Sequence, residues 1–109
     1  MIRFVLFVSV VAIALWAVGP ANTIAQEVAA VEIRDFAFGP AVVMVAVGGT
    51  VRWTNHDDFP HSVATEGSQL IASPFIAPGQ QFSFTFRQAG SFSYRCGVHP
   101  TMLGQVIVQ

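Results

Sequence analysis

Cys96, His99 and Met102 stand three residues apart in the stretch Cys96-Gly97-Val98-His99-Pro100-Thr101-Met102. A soft thiolate, an imidazole and a thioether spaced this closely can wrap one metal ion within a single loop. One more imidazole completes a His₂Cys set with a weak axial Met, the donor set of an electron-transfer copper centre. His61, on a separate stretch that begins after Pro60, is the candidate for it. Such a centre has to serve Cu(II) and Cu(I) with little movement. Thiolate donates strongly to Cu(II), imidazole suits both states, and a distant thioether favours Cu(I). Pro100 stiffens the loop, and Gly97 lets backbone come close to the sulfur.

Taken singly, each residue has a plainer reading. Cys96 alone is a buried structural thiol, His61 an ordinary strand histidine and Met102 core filling. Zinc is a weaker competitor, because its structural sites use Cys and His without Met and its catalytic sites keep a place for water. The chain has one cysteine, so it forms no internal disulfide, and in an oxidising compartment that thiol must be buried and inert or held by a metal. A binuclear copper centre needs a second, bridging cysteine. A copper oxidase needs a further copper site, and only His56 is left over; beside Asp57 and Asp58 it reads as a solvated surface histidine. With no Ser-His-Asp set, phosphate-binding glycine loop or convergent acid pair, no catalysis is expected.

The elements that position these residues belong to one domain at most, given 109 residues. Arg3 precedes a run of 15 residues from Phe4 to Val18 that is apolar except for Ser9, followed by Gly19-Pro20 and small or polar residues. About 20 apolar residues are needed to cross a bilayer core, so residues 1–25 are expected to be a cleaved signal peptide ending at Ala25, the alternative being an uncleaved N-terminal anchor. The expected mature domain is 26–109, exported, and small enough that a bound metal adds useful stability. It has no lysine; its cations are Arg34, Arg52, Arg87 and Arg95, against six carboxylates. No basic stripe is available for nucleic acid.

Period-two alternation recurs along this domain and helical periodicity does not. Ala29, Val31 and Ile33 share a face, as do Val43, Val45 and Val47 before Gly48-Gly49, which reads as a two-residue hairpin turn. Val51, Trp53 and Asn55 follow, then a polar loop, then His61, Val63 and Thr65. Pro78-Gly79 suits a type II turn. Phe82, Phe84 and Phe86 form a core stripe, Ala89-Gly90 a turn, and Phe92, Tyr94 and Cys96 one face of the next strand. That alternation puts the Cys96 sulfur on the aromatic, inward side. A last strand covers Gln105 to Gln109. About seven short strands argue for an antiparallel β-sandwich with the 96–102 loop at one end.

The stretches Trp53-Thr54-Asn55 and Pro60-His61-Ser62-Val63 resemble the first copper-ligand region of the cupredoxins, and Pro74 to Phe86 resembles the middle of that family. Tyr94 to Met102 is similar to the short ligand loop of the amicyanins, and shorter than that of the plastocyanins. The resemblance covers nearly all of the mature chain. It implies an all-β, Greek-key cupredoxin sandwich holding one type 1 (blue) copper, a monomer that carries single electrons in the periplasm. It implies His61, Cys96 and His99 as equatorial ligands and Met102 as the axial one. It also matches Asn55 to the asparagine that hydrogen-bonds across to the ligand loop. Redox partners are expected to dock by the His99 edge, among Pro60, Pro100, Thr101 and Leu103. The alternative is a copper-delivery protein using the same ligands without redox turnover.

Overall fold

The computed structural model describes residues 2–9, 12, 27–67 and 70–109. Most of the expected leader, with its boundary at Ala25, lies outside the described residues. No helix among those described is long and apolar enough to cross a membrane.

Eight strands follow in chain order: β1 (Val28–Arg34), β2 (Ala37–Gly39), β3 (Val42–Val45), β4 (Thr50–Asn55), β5 (Ala64–Thr65), β6 (Gln81–Thr85), β7 (Gly90–Arg95) and β8 (Leu103–Val108). They form two four-stranded sheets, ordered β2-β1-β4-β6 and β3-β8-β7-β5. The sandwich is as expected, but its sheets are mixed. β1 runs parallel to β4, with Val31 opposite Trp53, and β3 runs parallel to β8, with Val45 opposite Val108. Alternation tells which side chains face inward; it carries no information on the direction of a strand's partner.

The Gly48-Gly49 pair is not a hairpin. β3 and β4 lie in different sheets, and the glycines turn the corner between them. Gly48 takes a φ of 90° and its amide donates to the Phe86 carbonyl of the opposite layer. A hairpin turn and a sheet-to-sheet corner need the same conformational freedom, so the dipeptide cannot tell them apart. The turn at Ala89-Gly90 likewise passes from β6 in one sheet to β7 in the other. The strand read from His61 to Thr65 is shorter, reduced to β5 and an isolated bridge from His61 to Ile76.

The inward faces behave as the alternation requires. Val31, Ile33, Val51 and Trp53 from one sheet meet Val43, Val45, Tyr94, Val106 and Val108 from the other, all buried. Tyr94 is the hub, edge-on to Phe38 at 4.8 Å and to Trp53 at 5.4 Å between ring centroids, the geometry aromatic quadrupoles favour. Of the phenylalanine stripe, Phe86 is fully inside and Phe82 and Phe84 are half-buried against the core. Cys96 and Met102 belong to this same cluster. One end of the core is therefore lined by two sulfur-bearing side chains.

Candidate metal centre

Two segments meet at that end. Residues 56–63 leave β4, and residues 96–102 join β7 to β8, whose last pair is Arg95 with Leu103. The Cys96 amide donates to the Met102 carbonyl at 3.1 Å and the Met102 amide to the His99 carbonyl at 2.9 Å, closing the neck of the loop. His61 is held by paired backbone bonds with Ile76, of 3.2 and 2.7 Å. Both segments are fixed by backbone before any side chain is considered.

The side chains converge. The Nδ1 atoms of His61 and His99 each lie 3.7 Å from the Cys96 sulfur. The three donor atoms all fall within 4.8 Å of one another. One ion spans such a gap with bonds of about 2.0 Å to nitrogen and about 2.3 Å to sulfur. His61 and Cys96 are fully buried, Met102 is buried beside them, and His99 alone reaches the surface in part. All four sequence candidates therefore stand at one place.

Asn55 is placed differently from the expectation. It is fully buried, but its Nδ2 donates to the carbonyls of Phe59 at 2.7 Å and Ile76 at 2.8 Å, and its Oδ1 accepts from the Asp57 amide at 2.9 Å. From the end of β4 its side chain meets the backbone of its own loop first, so it holds the His61 segment and not the 96–102 loop. The crossing is made by Ser62. Its amide donates to the Cys96 sulfur at 3.4 Å, and its Oγ accepts from the Gly97 amide at 2.9 Å. The signal for Ser62 was its place directly after His61.

Asp57 is the other residue that polarity alone did not mark. Its carboxylate accepts from the Asp35 amide at 2.7 Å, the Phe36 amide at 2.9 Å and His61 Nε2 at 2.8 Å. Burial pushes its carboxyl up, but the bonds from Phe36, His61 and Asp35 outweigh that and hold it below the usual value. Phe36 and Phe59, both about half exposed, stack edge-on around His99 at 5.0 and 5.6 Å. His56 pairs with Glu32 on the exposed rim, away from the donors. Deeper in, burial pushes the Tyr94 hydroxyl up to about 12.

Residues 6–108 match the family model described as a cupredoxin-like domain. The chain is a member of the cupredoxin family. This cupredoxin is 32% identical over 93 residues to amicyanin from Paracoccus denitrificans, across 82% of this chain and 71% of the relative. It is similar to a solved amicyanin variant in the Cu(I) form, with a TM-score of 0.72, 31% identity, and coverage of 75% of this chain and 82% of that one. A purple cupredoxin from Nitrosopumilus maritimus is also similar, with a TM-score of 0.71, 30% identity, and coverage of 74% and 99%. The cofactor of this cupredoxin is copper, one per chain. The residues fit it: a buried thiol with two imidazole nitrogens aimed at its sulfur and a thioether alongside is a soft, copper-selective set.

Proposed function

We propose that the chain is an exported, periplasmic one-electron carrier built on a mononuclear type 1 copper site. His61, Cys96 and His99 would hold the metal, with the Met102 thioether as the weak fourth donor. The observation that carries this reading is the pair of Nδ1 atoms 3.7 Å from a fully buried cysteine sulfur. When bound, the metal supplies a one-electron Cu(II)/Cu(I) couple. The chain's part is to keep the donors still and dry. Ser62 stitches the two ligand segments together, Asn55 and Ile76 fix the backbone around His61, and the thiol is fully buried in the core below. A site held this firmly reorganises little when charge changes, which keeps transfer fast.

His99 is the route out, because it is the donor with an exposed edge. Pro60, Pro100, Thr101 and Leu103 surround it as exposed residues, and Phe36, Phe59 and Val98 enlarge that apolar rim. Weak redox encounters use small interfaces, and such a rim suits brief docking of donor and acceptor proteins. The leader-like N-terminal sequence supports export to the periplasm.

A visible spectrum of the copper-loaded protein tests the reading. An intense thiolate-to-copper charge-transfer band, lost in Cys96→Ser, is expected; a colourless wild-type complex ends it. Voltammetry then separates carrier from delivery protein. A fast, reversible one-electron response belongs to the carrier, whereas ready loss of Cu(I) to a chelator belongs to delivery.

A further inference from the structure

We infer that Asp57 is a positioning residue for the centre, holding both the ligand His61 and the aromatic cover Phe36 with one carboxylate. The inference rests on the copper reading above. An ionised carboxylate only accepts hydrogen bonds, so His61 Nε2 must be the donor in its 2.8 Å contact with Asp57 Oδ2. The proton is then fixed on Nε2, and the Nδ1 lone pair is left facing the Cys96 sulfur. Because His61 is fully buried, this bond also satisfies a ring N–H that has no water to turn to. Orientation of a metal-binding imidazole through its other nitrogen is a general way to set tautomer and ring angle.

The same carboxylate shapes what covers the ring. Asp35 and Phe36 have φ values of 51° and 57°, a left-handed region that side-chain-bearing residues seldom adopt. Their two consecutive amides point at Asp57 Oδ1 and Oδ2, a small anion nest that holds an otherwise unfavourable turn between β1 and β2. The turn places the Phe36 ring edge-on to His61 at 5.1 Å and to His99 at 5.0 Å. Half exposed and touching both imidazoles, Phe36 stands between the two rings and solvent. Asp57 is itself steadied by the bond from its own amide to Asn55. One anion thus links the end of β4, the β1–β2 turn and the buried histidine.

The first test needs no copper. In the metal-free wild-type protein, nitrogen–proton NMR of the histidine rings should show His61 as a single tautomer protonated on Nε2. A proton on Nδ1 overturns the inference, and this measurement decides it even if the variants do not fold. In Asp57→Ala the tautomers should mix, and the Phe36 and His99 ring contacts should be lost. Copper affinity should fall 10- to 100-fold, as is typical when such a supporting partner is removed. Asp57→Asn should recover only part, since one amide oxygen can accept from His61 or from the turn but its NH₂ cannot accept at all. Phe36→Ala should keep the tautomer and change the copper spectrum. An Asp57→Ala protein with one Nε2 tautomer and unchanged copper affinity overturns the inference. A wild-type protein that binds no copper sinks the copper reading and leaves the tautomer result standing.

Discussion

The Gly97 amide donates to Ser62 Oγ at 2.9 Å, and a Cβ added at Gly97 would stand 2.8 Å from that same oxygen. Two segments 35 residues apart in the chain are thus joined by a contact that a side chain at position 97 would crowd. Ser62→Ala removes one hydrogen bond and should cost about 1 kcal/mol. Gly97→Ala forces an overpacked contact and should cost about 1–3 kcal/mol. The double variant should cost no more than Gly97→Ala alone, because the alanine at 62 removes the atom that is struck. Urea denaturation of the metal-free proteins measures all three, and strict additivity would mean that the contact is not where the strain lies.

Why Ser62 was harder to read than Cys96 is a matter of range. Cys96, His99 and Met102 are close in sequence, and period two in β7 ties Cys96 to Tyr94, so local pattern was enough to place them on one inward-facing loop. The β-sandwich was legible for the same reason. The amide that meets Ser62 Oγ lies 35 residues away and the two amides that meet the Asp57 carboxylate about 20, and hydroxyl and carboxylate side chains in a polar loop give no sign of which backbone they will meet. The mixed sheets and the corner at Gly48-Gly49 are hidden from the sequence in the same way, since strand direction and layer are properties of the assembled chain. Phe36 is the clearest case: its role depends on a positive φ that no residue type at 35 or 36 announces.

Asn55 should be among the most sensitive positions outside the donors. Its buried side chain satisfies the Phe59 and Ile76 carbonyls and the Asp57 amide. Asn55→Leu leaves the Phe59 carbonyl and the Asp57 amide unpaired, at about 1–3 kcal/mol for each one that stays dry, while the Ile76 carbonyl keeps its bond from the His61 amide. A loss of at least about 2 kcal/mol is expected in chemical denaturation, with weaker copper binding, because both freed groups lie in the loop that carries His61. A loss below about 1 kcal/mol would show that water reaches those groups.

Copper itself should stabilise the fold. The donors are assembled by tertiary contacts between two loops, so the metal binds the native state preferentially, and at about 1,000 times Kd this contributes about 4 kcal/mol. Thermal scans with and without copper should show a large upward shift in Tm. Cys96→Ser should lose most of that shift, while Met102→Leu, which keeps the buried volume and removes the thioether, should retain more of it. Equal shifts in all three proteins would place binding elsewhere on the chain.

The last prediction concerns Tyr94, whose buried hydroxyl makes no well-formed hydrogen bond among the described residues and has the Trp53 indole N–H as its polar neighbour. Removing that oxygen removes an unpaid desolvation, so Tyr94→Phe should change stability by less than about 1 kcal/mol or raise it. Tyr94→Ala, which empties the centre of the core, should cost about 3–5 kcal/mol. The pH dependence distinguishes them further. With the folded value raised to about 12 and the unfolded one near 10, the unfolded chain loses this proton first as pH rises. Its contribution is fully present below pH 10 and declines through the interval up to about 12, at up to ~1.4 kcal/mol per pH unit. The sequence has one tyrosine and no lysine; an ordinary thiol also ionises in the alkaline range, but the single cysteine is common to both proteins, so their difference isolates the phenol. Denaturation of the metal-free protein at pH 9 and pH 11 should show wild type losing stability that Tyr94→Phe keeps, and parallel behaviour of the two would mean that water already reaches the phenol.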